Sequence, residues 1–241
     1  MNLTKEDIAS LRPYGNFVLV RSIVSMDTIM LRGEKIFIDT SYKPEHHAEV
    51  ICEVVAVPRR LVFDRKRPVG ESMEWHSAME LHKGDIVWCN YLAVLKGKER
   101  HMLTCDGLKY FMVEYSQIYL KKNKQDITML NGWVLCEPVY KEKEQVVVDG
   151  KTIALPSVTT HNQSQGIARH TQFGKVKYIG RPVKEYYYAD AEVDDDYIRV
   201  GDTVMFVTPF NPHLEHELHH HFDGTSLIVS RRSRIMGIVE F

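Results

Sequence analysis

The segment whose residues most directly suggest chemistry is histidine-rich and lies near the end of the chain, at Pro212–His221. His213, His216 and His219 recur every three residues and could ligate zinc or nickel, because histidine-rich tracts bind transition metals. A polar hairpin loop is the competing interpretation, since loop histidines without an ordered set of cysteines or carboxylates often bind metals only adventitiously. We predict no metal centre and keep the three histidines as candidate ligands of a metal-binding alternative.

No other segment has the residue pattern of a familiar catalytic or cofactor site. The sequence contains neither a GxGxxG nucleotide-binding turn nor a GxSxG nucleophile elbow. The acidic run Asp190–Asp196 lacks the central glycine and distal glutamate of a calcium loop, so we interpret it as solvated. The neighbouring Tyr186–Tyr188 indicates a contact surface rather than a reactive centre. These absences predict a protein that is not an enzyme and holds no cofactor.

Two apolar tripeptides stand out inside long segments that show no secondary-structure period. They are Ile36-Phe37-Ile38, within about 22–49, and Ile153-Ala154-Leu155, within about 141–173. Loops of this length inside a small domain are functional or disordered. One interpretation makes each tripeptide a further short core strand. The other makes each one an apolar hook that a flexible arm presents to a groove on a partner.

The energetics of such a hook favour several acting together. Burying one isoleucine or leucine side chain stabilises a complex by roughly 1.5–3 kcal/mol. Ordering the arm costs about 2–5 kcal/mol, so a single hook binds weakly. Several hooks on one symmetric assembly bind well because each raises the effective concentration of the others.

The two tripeptides belong to a tandem duplication of the whole chain. Gly84-Asp85-Ile86-Val87 recurs as Gly201-Asp202-Thr203-Val204, an offset of 117 (201 − 84), and the tripeptides recur at the same offset. A fixed offset held over separate landmarks is the signature of an internal repeat. We therefore predict two domains, 1–122 and 123–241, joined by the polar linker Lys121–Asp126.

Strand signals dominate both halves, which predicts an all-β fold. Short β-branched and aromatic runs alternate with Gly-Asp and Asp-Gly turn pairs, and Asp106-Gly107 is the pair that type I′ hairpins prefer. One helix is expected over Lys5–Ser10, where Thr4 and Asp7 are spaced as a capping box. The predicted strands are 17–20, 50–57, 86–89 and 110–113, answered by 133–136, 174–180, 204–207 and 226–229.

Taken in order, these segments resemble a GroES-type co-chaperonin of the ten-kilodalton class, duplicated in tandem. Leu11-Arg12-Pro13 followed by the aliphatic run Phe17–Val20 is similar to the family's opening motif. An aliphatic tripeptide in a loop, a second strand, a Gly-Asp-aliphatic-Val turn and a closing hydrophobic strand follow twice. Ser226–Phe241 is close to the family's ending.

The resemblance implies two tandem GroES-like small β-barrels with long mobile loops. It implies a co-chaperonin, a homo-oligomer without enzymatic activity, that caps an ATP-driven chaperonin ring of the GroEL type and assists protein folding. The two tripeptides would then bind the ring. Two alternatives remain open: a tandem β-barrel structural or interaction protein without chaperonin binding, and a metal-binding protein that uses the loop His213–His221.

Composition narrows the possible partners and compartment. The net charge of −1 gives no global field that favours nucleic acid or an anionic membrane. The sequence contains no run of about 18 apolar residues, so we predict no membrane-spanning helix. The N-terminal residues lack the basic and apolar regions of a signal peptide. We expect a cytoplasmic protein that binds neither nucleic acid nor a membrane.

Overall fold

The computed structural model describes residues 3–23, 28–31, 34–37, 50–61, 79–94, 102–124, 126–142, 145–148, 151–154, 167–181, 198–207 and 227–239. The regular secondary structure of these residues is almost entirely β-strand, so the predicted all-β class is confirmed. Among them, no helix is long and apolar enough to cross a membrane.

The described residues form sixteen strands, two short helices and two 3-10 turns. The strands are β1 (Phe17–Ser22), β2 (Thr28–Leu31), β3 (Glu34–Phe37), β4 (Ile51–Ala56), β5 (Ile86–Cys89), β6 (Met102–Cys105), β7 (Leu108–Glu114), β8 (Ile118–Asn123), β9 (Asp126–Met129), β10 (Trp133–Glu142), β11 (Gln145–Val148), β12 (Lys151–Ala154), β13 (Ile167–Ile179), β14 (Thr203–Phe206), β15 (Ile228–Arg231) and β16 (Ile235–Val239). The helices are α1 (Lys5–Ser10) and α2 (Tyr91–Val94), and the 3-10 turns are Tyr115–Gln117 and Arg232–Arg234.

Among the described residues, two large sheets hold most of the strands, and two hairpins form separate two-stranded sheets. The seven-stranded sheet has the order β6-β7-β1-β4-β5-β8-β9, and the five-stranded sheet has the order β15-β10-β13-β14-β16. The hairpins are β2-β3 and β11-β12. The five-stranded order matches β7-β1-β4-β5-β8 strand for strand, so the predicted duplication is present in the topology.

The chain divides into two compact units. The first comprises Met1–Trp133 and Gly180–Val193, and the second comprises Val134–Ile179 and Asp194–Phe241. The sequence-based boundary after residue 122 stays a prediction about the repeat. The segment predicted as a linker is part of a hairpin in the structure. Lys121–Asn123 belong to β8, and Asp126 begins β9, which pairs with β8.

Strand register repeats between the units to the residue. Cys52 lies opposite Val87 in the first unit, and Gly174 lies opposite Val204 in the second. The offset is therefore 122 on the second core strand of each unit (β4 and β13) and 117 on the third (β5 and β14), as the sequence indicates. A bulge interrupts the first core strand at the same place in both units, after Leu19 and after Leu135.

The Gly-Asp turns show why that sequence recurs. Gly84 and Gly201 have φ of +92° and +100°, a backbone region that favours glycine. Asp85 Oδ2 accepts the His82 N–H at 2.9 Å, and Asp202 Oδ2 accepts the Arg199 N–H at 2.7 Å. Each aspartate thus caps its own turn, which is the local role that a short polar acceptor takes in turns.

The first core is closed at one side by α1. The predicted capping box forms, because the Thr4 hydroxyl accepts the Asp7 N–H while the Asp7 carboxylate accepts the Thr4 N–H. Ile8 is buried on the helix and packs with Leu19, Cys105 and Tyr110. The Asp106-Gly107 hairpin also forms as predicted, with φ of 50° and 77° at its two turn residues.

The second core is built from six buried side chains on four strands. They are Val134, Cys136, Val176, Val204, Phe206 and Ile228. Burial raises the pKa of the Cys136 thiol to about 12, so that thiol is neutral in the core. All four cysteines of the chain are buried and free.

Candidate functional site

The apolar tripeptides lie at the ends of the two separate hairpins. Ile36 and Phe37 are the last two residues of β3, and Ile153 and Ala154 are the last two residues of β12. The third member of each tripeptide, Ile38 or Leu155, follows directly and lies outside the described residues. Each long inter-strand segment therefore contains a hairpin that the sequence did not predict. Among the described residues, neither hairpin joins a large sheet.

The hairpins are copies of each other at the offset of the repeat. Strands β2 and β3 begin at Thr28 and Glu34, and β11 and β12 begin 117 residues later, at Gln145 and Lys151. In the first hairpin Ile36 lies opposite Ile29. In the second, Ile153 lies opposite Val146. The duplication has thus kept an aliphatic residue opposite the first residue of each tripeptide.

Each hairpin is placed between the first and second core strands of its unit. In the first unit, β1 ends at Ser22 opposite Cys52, and the Ile23 N–H donates to the Ile51 carbonyl at 3.3 Å. In the second unit the flanking ladder is longer, because β10 and β13 remain paired out to Glu142 opposite Ile167. The start of β13 at Ile167 also falls within the segment predicted to lack regular structure.

The hairpin edges and one aliphatic side chain are the features available to a partner. Ile36 is 39% exposed although it belongs to a strand. A two-stranded sheet pairs only half of its backbone groups internally, so its outer edges can accept an extended segment. A single hairpin is marginally stable in water, and it gains stability from packing against another surface.

A turn signal in the sequence could have found the second hairpin. Asp149-Gly150 lies between β11 and β12, and Asp-Gly is a preferred two-residue hairpin connection between β-rich runs. The equivalent pair in the first half, Arg32-Gly33, is a weaker signal, but the repeat offset transfers the prediction to it. The strands β2 and β11 were therefore missed although the sequence carried their signature.

A partly buried polar cluster in the first unit is centred on Glu80. The Tyr115 hydroxyl donates to Glu80 Oε2 at 2.8 Å, and the Asn131 N–H donates to the same oxygen at 3.2 Å. Lys121 Nζ donates to the Glu80 carbonyl at 2.6 Å. Burial, followed by the nearby Glu80 carboxylate, raises the pKa of the fully buried Tyr115 phenol. The cluster joins three chain segments of the first unit.

The candidate metal ligands His213, His216 and His219 lie outside the described residues. Within the described part of the chain, no group of three histidine, cysteine, aspartate or glutamate side chains is arranged to hold a metal ion.

Comparison with protein-family models and with curated protein sequences gives no match for this chain.

Proposed function

We propose that the protein is a co-chaperonin that caps an ATP-driven chaperonin ring and assists protein folding. The observation that carries the proposal is a pair of hairpins, 117 residues apart, that join neither large sheet among the described residues and whose second strands end within the apolar tripeptides. Ile36, Phe37 and Ile38 form the stronger hook, and Ile153, Ala154 and Leu155 form the weaker one because alanine buries less apolar surface.

The hairpin supports this role energetically. A segment already held as paired strands loses less conformational entropy on binding than a free arm, so more of the apolar burial appears as affinity. Burial of one large aliphatic side chain contributes roughly 1.5–3 kcal/mol. One hook still binds weakly, and two hooks per chain gain from effective concentration when the partner repeats its groove around a ring.

The experiment is capture of the full chain by an immobilised GroEL-type chaperonin ring with and without ATP. We expect capture with nucleotide and its loss in Phe37→Asp and in Ile36→Asp, since a carboxylate in an apolar groove is strongly disfavoured. The matched control is Leu108→Asp, which changes a residue of similar exposure, 42% against 39%, beside a turn away from the hairpin. That control should be captured like the unchanged protein.

Equal capture of the hairpin variants and the unchanged chain would remove the hooks from the proposal. Failure of every ring to capture the unchanged chain would favour a tandem β-protein with a structural or interaction role that does not involve a chaperonin.

A further inference from the structure

The side chain of Asn131 is fully buried in the first unit. The residue is 0% exposed, and neither its Oδ1 nor its Nδ2 atom bonds to another group of the protein among the residues that the structure describes. An amide can donate two hydrogen bonds and accept two. Buried polar groups are almost always paired, either with protein groups or with ordered water. The surroundings of Asn131 therefore have to supply a partner.

Backbone geometry explains why an asparagine stands at this position, but not why its amide is buried. Asn131 and Gly132 have φ of 51° and 68°, and the Trp133 N–H donates to the Leu130 carbonyl at 2.9 Å. These residues form a tight turn between β9 and β10, and asparagine and glycine tolerate its left-handed conformation best. The turn would form equally well with the amide in solvent.

A second segment of the first unit packs closely against this turn. The Gly180 N–H donates to the Trp133 carbonyl at 2.8 Å. A Cβ atom on Gly180 would lie only 3.0–3.3 Å from the carbonyl oxygens of Met129, Leu130 and Trp133. The backbone of Gly180 thus covers the turn more tightly than any other residue type would allow, which contributes to the exclusion of bulk water.

The Glu80 carboxylate lies next to Asn131. The Asn131 N–H donates to Glu80 Oε2 at 3.2 Å, and the short side chain of asparagine keeps its amide near that nitrogen. Both hydrogen bonds that the carboxylate accepts from described residues, from Asn131 and from the Tyr115 hydroxyl, end on Oε2. A carboxylate has two acceptor oxygens, so Glu80 can accept further hydrogen bonds. Acceptors and a donor are therefore grouped around one small volume.

We propose that Asn131 and the Glu80 carboxylate hold an internal water molecule inside the first unit. Water fits because it both donates and accepts: it can accept from Asn131 Nδ2 and donate to Asn131 Oδ1 or to the carboxylate. A metal cation would serve Oδ1 and leave the Nδ2 donor unpaired, whereas an anion would lie beside the Glu80 carboxylate. An internal water makes about three hydrogen bonds, which this group of atoms can provide. Leaving both ends of the amide unpaired costs more free energy than immobilising one water molecule.

The residues that form this site are not repeated in the second unit. At the offset of 117, the counterpart of Glu80 is Tyr197 and the counterpart of Tyr115 is Arg232. Neither counterpart supplies a carboxylate. The water is therefore a ligand of the first unit, where it ties the turn after β9 to the segment that carries Glu80. This role does not depend on chaperonin binding, so it can be tested on the isolated chain.

The first experiment detects the water by nuclear magnetic resonance on the full chain. Magnetisation transfer from water to the side-chain amide protons of Asn131 should have the sign of a molecule that tumbles with the protein. The matched control is the amide of Asn90, which is half-buried and whose Oδ1 accepts the Leu92 N–H at 2.9 Å. It should show no transfer of that sign. If Asn131 showed none either, the proposal would be overturned.

Two variants distinguish a bound water from a relayed signal. Hydroxyl and ammonium protons exchange with water and can pass its magnetisation to their neighbours, and Tyr115 and Lys121 carry such protons beside Glu80. The transfer to Asn131 should persist in Tyr115→Phe and in Lys121→Met. Its loss in either variant would assign the signal to the protons of the replaced group and would overturn the proposal.

Urea unfolding followed by tryptophan fluorescence is an independent test. Asn131→Gly removes the amide and keeps a residue that favours positive φ. The matched control is Lys124→Gly, because Lys124 is exposed and also has a positive φ, of 57°. If water satisfies the amide, Asn131→Gly loses hydrogen bonds, and its unfolding midpoint should lie below that of Lys124→Gly. A midpoint equal to or above that of the control would show that the buried amide is unpaired, and no internal water would then be held there.

Discussion

The cores of the two units place different side chains on the same backbone framework. Cys52 on β4 corresponds to Gly174 on β13, and Cys89 at the end of β5 corresponds to Phe206 at the end of β14. All three non-glycine side chains are at least 98% buried. A Cβ atom on Gly174 would lie 2.8 Å from Cys136 Cβ and 3.4 Å from the Phe206 ring.

At these two positions the first unit has two cysteine side chains, whereas the second unit has a glycine and one large phenylalanine ring. Protein interiors are packed nearly as densely as organic crystals, so the volume lost at one position is recovered at a neighbouring one. The difference teaches that register and turn geometry define the repeat, while core side chains change together within each copy.

The largest effect is expected from truncating the large ring of the second core. Phe206→Ala should lower the free energy of unfolding by about 3–5 kcal/mol, because it removes a buried aromatic side chain and leaves a cavity. The two tryptophans that the structure describes, Trp88 and Trp133, belong to the first unit. Urea unfolding followed by circular dichroism should therefore shift, while the transition followed by tryptophan fluorescence should move much less.

The matched variant in the first core is Cys89→Ala, which removes only a sulfur atom and should cost about 1 kcal/mol. It should shift the fluorescence transition. An equal cost for the two truncations would show that Phe206 does not fill the volume that Cys52 and Cys89 share in the first unit.

The next effect is expected at the glycine of the second core. Gly174→Ala should cost about 1–3 kcal/mol, because the added methyl meets Cys136 Cβ, an atom that moves only with its backbone. Gly237→Ala is the control, since a Cβ there has nothing within 4 Å and the residue lies in a strand. Thermal unfolding should distinguish the two variants. A destabilised Gly237→Ala together with a neutral Gly174→Ala would contradict this account of the packing.

Much of the framework was predictable because its signals are local. Gly84 and Gly201 mark turns that require positive φ, and the repeated order of landmarks carried each predicted strand from one half to the other although the offset changes between strands. The capping box at Thr4 was likewise readable from residues three apart. The hairpin β11-β12 was equally local, with Asp149-Gly150 at its turn, and it was missed because its short strands lack an alternating pattern.

The features that the sequence did not predict depend on contacts between residues that are distant in sequence. Nothing near Glu80 indicates that its carboxylate will meet Tyr115 and Asn131. The pairing of β9 with β8 was also unpredictable, because the polar composition of Lys121–Asp126 is typical of a linker and equally typical of a tight hairpin. The compensation between Gly174 and Phe206 becomes visible only when β13 and β14 are placed side by side.

A smaller effect is expected at Tyr115, whose phenol is buried in the first unit. Arg232 occupies the same place in the 3-10 turn of the second unit. Tyr115→Phe should cost about 1–2 kcal/mol by removing the hydroxyl that donates to Glu80. The folded-state pKa of Tyr115 is raised above its usual value of about 10, so this stability is present below pH 10 and is lost as pH rises beyond it.

The difference between the unchanged chain and Tyr115→Phe should therefore shrink above about pH 10 in urea titrations followed by tryptophan fluorescence. A difference that is the same at pH 8 and pH 11 would show that the hydroxyl acts by packing alone. A pH-dependent change confined to the circular dichroism transition would place the effect outside the first unit.

The smallest effect is expected at a surface ion pair whose charges are reversed between the units. Arg21 on β1 pairs with Glu53 on β4, whereas on the equivalent strands of the second unit Glu137 pairs with Lys177 at 2.7 Å. Between 31% and 43% of each side chain is exposed, so each pair should contribute only about 0–1 kcal/mol.

Reversing the charges of the first pair tests whether sign matters on this framework. Arg21→Glu alone places two carboxylates opposite each other and should destabilise the first unit by up to about 1 kcal/mol, less in 1 M salt. Adding Glu53→Lys, which gives the polarity found in the second unit, should recover most of that loss. If the double variant were no more stable than Arg21→Glu in low-salt urea titrations, the two strands would differ in more than charge. The residues around each pair would then determine which of its two strands carries the positive charge.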